Sequence, residues 1–184
     1  MQLTRPPRKL SVAKYLNSKS LGFSLVELMV GIAILAVLLG VALPSFKTML
    51  LNSEIRNAAE SIANGMQKAR AEAVARNTNV NFVLGANASG TYTSWTVNQV
   101  NPAAVIESRR SKEGSKNVTR SVLPANATTV TFNNLGQVID LAPLSQVDVA
   151  AVGGTKNMRV TIGVGGNARM CDLSLALGSG PRAC

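Results

Sequence analysis

Histidine is absent from the 184 residues. The commonest general base near neutral pH and the commonest transition-metal ligand are therefore both missing. The serines have no imidazole to activate them. Asp140, Asp148 and Asp172 are dispersed without ligand-like spacing, and no glycine-rich loop follows a strand and opens a helix. No enzymatic activity, cofactor or metal site is expected. Aromatic residues make up 4 % of the chain, so any core must be aliphatic and small, with Phe82, Tyr92, Trp95 and Phe132 as the large side chains in strand-like segments. Acidic residues are missing from the first 22 positions, where Arg5, Arg8, Lys9, Lys14 and Lys19 stand. Without those five bases the formal charge of +10 falls to +5, fourteen bases against nine acids. A nucleic-acid or lipid partner suggested by the total charge is then a matter of where the bases sit.

The basic stretch gives way to an apolar run of membrane length, Phe23 to Leu43, charged only at Glu27. An ionisable group inside such a run costs roughly 2.5–3.5 kcal/mol on insertion scales and marks a function by default. The run can be read as a secretory signal with Gly40-Val41-Ala42 as its small-x-small cleavage site. Its length opposes this, since a signal core needs only about 7–15 residues and a membrane span about 20. The helical pattern also continues past Ala42: Ile55, Ala59, Ile62, Met66, Ala69 and Ala73 recur at spacings of four and three. Arg56 with Glu60, and Lys68 with Glu72, stand four apart as exposed pairs on other faces. One helix is predicted from about Phe23 to Arg76, about 80 Å long, bent at Pro44 and stopped by Asn77, Thr78 and Asn79.

The start of this helix carries a resemblance. Gly22-Phe23-Ser24-Leu25-Val26-Glu27-Leu28 resembles the cleavage and methylation motif of type IV pilins and type II secretion pseudopilins: a basic leader ending in Gly, then Phe, then Glu four positions on, at the head of a long apolar helix. The resemblance implies a prepilin peptidase that cuts between Gly22 and Phe23 and methylates Phe23, and it makes Glu27 a residue of filament assembly. Paired with the cationic N-terminal amine of a neighbouring subunit in a low-dielectric filament core, the Glu27 carboxylate would fix axial register, because any other register leaves a charge unpaired. The alternative is a stray carboxylate beside the interface. Pro44 falls where many pilins have a helix-bending proline.

From Asn79 onward the helical period gives way to short β-branched runs between turn residues. Strands are expected at Asn79–Leu84, Tyr92–Val97, Val105–Arg109, Val118–Val122, Thr129–Phe132, Gln137–Ile139, Met158–Val164 and Arg169–Leu173. They make one antiparallel sheet, or two, packed on the helix stripe. The predicted fold is α+β and pilin-like. Its parts are a basic leader (1–22), a transmembrane and filament-core half-helix (23–43), an amphipathic half-helix (44–77) and a β-rich globular domain (78–184).

Two cysteines, Cys171 and Cys184, stand near the C-terminus of a chain read as exported, where an oxidising compartment favours a disulfide; two free thiols, or pairing with a partner's cysteines, are the alternatives. The order of long helix, strands and C-terminal cysteine pair is similar to the GspH/FimT branch of minor pilins and pseudopilins. "VTFNNLGQV" (130–138) and "VGGNARMCD" (164–172) fall on two of that branch's segments. The second commonly reads Gly-Arg-x-Arg before a Cys, and in some members those arginines bind DNA. Here Asn167 takes the first arginine position, leaving Arg169 and, across the cysteine loop, Arg182. The cluster Arg109, Arg110, Lys112, Lys116 and Arg120 is interrupted by Glu107 and Glu113 and has no aromatic to stack on bases, so it reads as a solvated loop.

The resemblance implies one of three functions. The first is a minor pilin in type IV pilus assembly or initiation, the second a minor pseudopilin of the type II secretion system, and the third a pilus-tip DNA-binding subunit for natural transformation. The implied partners are other minor and major pilins or pseudopilins, the prepilin peptidase, the inner membrane and, for the third reading, DNA. The implied location is the bacterial inner membrane, crossed once with the C-terminal domain in the periplasm, and then a pilus or pseudopilus.

Overall fold

The computed structural model describes residues 22–85 and 93–184. Residues 1–21 of the expected leader, and Tyr92 at the expected start of the second strand, lie outside the described residues. The chain divides into two compact units, Met1–Gly40 and Val41–Cys184. Helix α1 (Leu25–Ala75) runs through the boundary.

In the first unit, Ser24 caps α1: its hydroxyl accepts the Glu27 amide at 3.1 Å, and its carbonyl accepts the amide of Leu28 at 3.2 Å. Helical residues up to Gly40 are all exposed within the chain. The helix is long and apolar enough to cross a membrane.

In the second unit α1 continues through Pro44, whose carbonyl accepts the Thr48 hydroxyl at 3.2 Å. Its first buried residue is Leu51. From there the predicted stripe of Ile55, Ala59, Ile62, Met66, Ala69 and Ala73 is buried, joined by Ala58, Ser61 and Gly65. The exposed flank carries Arg56–Glu60, Lys68–Glu72 and Arg76–Glu72 pairs at 3.5, 3.1 and 2.6 Å. The helix ends where Asn77 turns left-handed (φ 50°). The amide of Asn77 returns to the Val74 carbonyl and that of Thr78 to the Ala73 carbonyl, a Schellman closure that satisfies the last turn.

Eight strands come after the helix: β1 (Val80–Leu84), β2 (Trp95–Gln99), β3 (Ala104–Arg109), β4 (Val118–Leu123), β5 (Thr129–Phe132), β6 (Gln146–Ala151), β7 (Met158–Ile162) and β8 (Ala168–Asp172). They form two four-stranded sheets, ordered β3-β2-β1-β5 and β4-β6-β7-β8, with every strand pairing antiparallel. The chain leaves the first sheet after β3, returns for β5, and completes the second sheet from β6 onward. Alternation places Val80, Phe82 and Leu84 of β1, and Met158, Val160 and Ile162 of β7, in the same core as the helix stripe. Burying each large side chain there contributes about 1.5–3 kcal/mol, and alanines and Gly65 on the helix allow the sheets a close approach. The Trp95 indole nitrogen donates to the buried Ser61 hydroxyl at 2.8 Å, so neither polar group is left unsatisfied.

Two expectations differ from the structure. Gln137–Ile139 makes a single bridge, Phe132 to Val138, rather than a strand. Its hydrogen bonds are divided: the Ile139 amide goes to Thr131 of β5, and the Val138 amide to Val164, beyond the end of β7. The segment stitches the two sheets together instead of extending one. Conversely, Gln146–Ala151 is strand β6, central in its sheet, with Val147, Val149 and Ala151 inward.

Candidate functional site

The sequence singles out two regions, the start of α1 and the cysteine-closed tail. At the first, Gly22, Phe23 and Ser24 precede the helix, and Phe23 is 84 % exposed. With Ser24 as cap, Glu27 is the third helical residue. Ser24-x-x-Glu27 is thus a capping-box sequence, which puts a carboxylate in the first turn, where the amide dipoles sum to partial positive charge. Sequence reasoning missed this cap, although Ser or Thr followed three positions on by Glu is a readable signal. Glu27 is exposed within the chain, so its carboxylate is available to a group from outside.

At the second region, Cys171 on β8 and Cys184 are joined by a disulfide, their Cα atoms 5.0 Å apart. The tail is further held by a bridge from Asp172 to Ala183 and by the Asp172 amide donating to the Arg182 carbonyl. Asp172 is buried. Burial pushes its carboxyl up, but the Ser174 hydroxyl and amide, with Lys156 and Arg56 nearby, outweigh this and hold it below the usual range. The two arginines of the DNA reading are both exposed but line different hollows. Arg169 faces one with Gln146, Arg159 and Thr161, and Arg182 another with Arg56, Glu60 and Lys156. Asn167 is exposed as well, with its side chain tied to the helix: its Oδ1 accepts Arg70 Nη1 at 2.7 Å, while Arg70 Nε reaches the Gly136 carbonyl at 3.0 Å. Sequence reasoning did not see Arg70, which ties helix to both turns. Among the described residues no three acidic or cysteine side chains gather as metal ligands do.

A long N-terminal helix with an exposed apolar start, packed beyond Leu51 on antiparallel sheets and ending in a disulfide-closed tail, defines a pilin-type protein. The family model described as "Type II transport protein GspH" matches residues 58–174, more than half of the chain, and that for the "Prokaryotic N-terminal methylation motif" matches residues 17–43. The chain belongs to the GspH family of type IV pilin-like minor pilins and pseudopilins, which are structural proteins rather than enzymes. Among solved structures it is similar to the type IV minor pilin FimU of Pseudomonas aeruginosa PAO1. The TM-score is 0.53 at 19 % identity, over 68 % of this chain and 94 % of that one. A second crystal form of FimU gives a TM-score of 0.49 at 18 % identity, over 67 % and 98 %. The first likeness shows the fold. No curated protein matches the chain.

Proposed function

We propose that this chain is a minor pilin that takes part in assembly or initiation of a type IV pilus, together with other minor and major pilins. In this reading a prepilin peptidase removes residues 1–22 and methylates Phe23. Phe23 to Leu43 then holds the protein once across the inner membrane, with residues 44–184 in the periplasm, until it enters a filament. The five bases ahead of the run against Lys47 and Arg56 just beyond it support that orientation, because positive charge is retained on the cytoplasmic side. Pro44 bends the helix at the edge of the bilayer.

The observation that carries the proposal is Glu27, an exposed carboxylate in the first turn of an otherwise uncharged apolar half-helix, four residues after Phe23. Cleavage would place a cationic amine one residue before the cap of every subunit. A carboxylate in each first turn then gives each amine a partner when helices stack in a filament, and wrong registers strand a charge in low dielectric. Glu27→Val should leave the protein in the membrane but out of filaments; incorporation at the wild-type level would sink this role.

The family's description as type II transport favours a second reading, a minor pseudopilin of that secretion system. A deletion strain separates the two machines: loss of twitching with secretion intact supports the pilus, and the reverse supports the pseudopilus. The DNA-uptake reading would rest on Arg169 and Arg182, and predicts duplex binding that weakens in salt and in Arg169→Ala and Arg182→Ala. Its support is reduced by Asn167, whose side chain is engaged with Arg70.

A further inference from the structure

We infer that the free edge of strand β3 is a self-association surface, to which β3 of a second copy of this chain adds antiparallel about a twofold axis at Ser108. The inference goes beyond the minor-pilin reading and does not depend on which filament machine the chain serves.

Strand β3 is outermost in the first sheet and pairs only with β2. Strands β1, β5, β6 and β7 each bury alternate residues, but none of β3 is buried: Ala104, Val105, Glu107 and Ser108 are exposed, and Ile106 and Arg109 half-buried. Such an edge presents a row of backbone amides and carbonyls to any strand that can lie beside it. Proline and lysine, which blunt many edges, are missing from this one. Its irregularity is a bulge at Ile106, where the register with β2 passes from Val97–Glu107 to Asn98–Val105. Beyond the bulge Glu107, Ser108 and Arg109 run regularly opposite Val97, Thr96 and Trp95. The chain then turns back toward the start of β2, since Arg109 Nη2 donates to the Glu113 carbonyl at 2.8 Å and the Ser115 hydroxyl meets that of Thr93 at 2.6 Å. Thr93 lies just ahead of β2, so these bonds tie the connection to the side of β3 that faces its own sheet.

The charges choose the occupant. Glu107 and Arg109 stand two apart and so share one face of the strand. Among the described residues neither belongs to an ion pair, and Arg109 keeps Nε and Nη1 for a carboxylate. A twofold axis normal to the sheet keeps that face on the same side in both copies. Centred on Ser108, it sets Glu107 of each copy opposite Arg109 of the other, and opposite-charge cross-strand pairs stabilise a sheet. Centred on Glu107 or on Arg109, it sets a charge against its own kind, which destabilises. The neighbouring charges do not upset this register: Arg110 falls opposite Ile106 at the bulge, and Glu113 is on the connection that turns back toward β2. An unrelated strand gains neither pair, whereas this sequence complements itself. An edge of six residues makes a contact at the small end, under about 1,200 Å² in total, so a cross-link at the axis detects it better than a change in mass.

The test uses the full-length protein in detergent micelles. Ser108→Cys faces its own copy across the axis, where antiparallel Cα atoms lie about 4.5–5.5 Å apart, within the roughly 4.4–6.8 Å that a disulfide spans. Oxidation with copper phenanthroline should give a covalent dimer well above that of Ser121→Cys, an exposed position on edge strand β4 of the second sheet. In the Ser108→Cys background, Glu107→Arg and Arg109→Glu should each lower the dimer about fivefold or more, because both opposite-charge pairs become like-charge pairs. The two changes together should restore it. Equal cross-linking at Ser108→Cys and Ser121→Cys, which association through α1 alone would give, overturns the proposal. So does a dimer indifferent to the charge changes, or one that the double swap fails to restore. In host membranes, cross-linking of Ser108→Cys to another protein and not to its own copy overturns it in favour of a foreign strand. None of these outcomes touches the cleavage and assembly reading, whose failure is read at Phe23 and Glu27.

Discussion

Gly65→Ala is predicted to destabilise the domain, although alanine is the better helix former by about 1 kcal/mol. Gly65 lies where α1 crosses the first sheet, and an added Cβ would stand 2.8 Å from Phe82 Cε2 and 3.0 Å from Trp95 Cδ2 and Cε2. Neither ring can give way easily. Phe82 is fully buried, the two ring centroids are 5.8 Å apart, and the Trp95 indole is held by Ser61 at 2.8 Å. Overpacking of this kind costs about 1–3 kcal/mol, toward the upper end where both contacts are rings held in place, so after the gain in propensity a net loss of up to about 2 kcal/mol remains. At about 2–4 °C per kcal/mol for a unit of this size, the midpoint of thermal unfolding should fall by several degrees. Trp95 is the sole tryptophan, so its fluorescence reports the transition at the contact itself. Phe82→Leu removes the nearest ring atom, and the double variant should lose less than the sum of the two single losses. A rise in the Gly65→Ala midpoint, as propensity alone would give, would refute the reasoning.

Joining Cys171 to Cys184, thirteen residues apart, should stabilise the tail by about 3 kcal/mol on the chain-entropy model; the purified chain should resist alkylation until reduced, and Cys171→Ser should lower the unfolding midpoint, an unchanged midpoint speaking against that magnitude. The depressed carboxyl of Asp172 contributes stability above the unfolded value near pH 4 that is lost as pH falls through the lower folded value. Acid titration of the melting temperature should therefore show a drop below about pH 4 that is smaller in Asp172→Asn. Arg70→Ala removes the bonds to Gly136 and Asn167 and should cost about 1–2 kcal/mol, with a measurable coupling to Asn167→Ala in a double-mutant cycle of urea unfolding. Additive single effects would mean that the Arg70–Asn167 bond contributes nothing.

The helix was the most legible element because its apolar residues keep one period: Ile55, Ala59, Ile62, Met66, Ala69 and Ala73 are all buried. Gly65 and Ser61 lie on the same face but look like neither core nor surface, since one serves by lacking a side chain and the other by pairing with Trp95. Strand β6 was hidden by Asp148, Ala150 and Ala151, residue types depleted in strands. Asp148 is tolerated because it points outward opposite Arg159, which it accepts at 2.7 and 2.9 Å. Two sheets were one of the expectations, but which strands make each was illegible: it depends on β5 pairing with β1 while β4 pairs with β6, and on Val138 bonding to Val164, pairings with no local signature. At the candidate sites, the motif around Glu27 is contiguous and could be read directly. The bond that holds Asn167 could not, because its partner Arg70 is 97 residues away.

The most direct test of the pilin-type pathway is the intact mass and N-terminal peptide map of the protein extracted from the membranes of its native host. The account predicts a mature chain that begins at a methylated Phe23. A chain that begins after Ala42, or that retains Met1, would contradict it, and would leave Glu27 without an amine to pair.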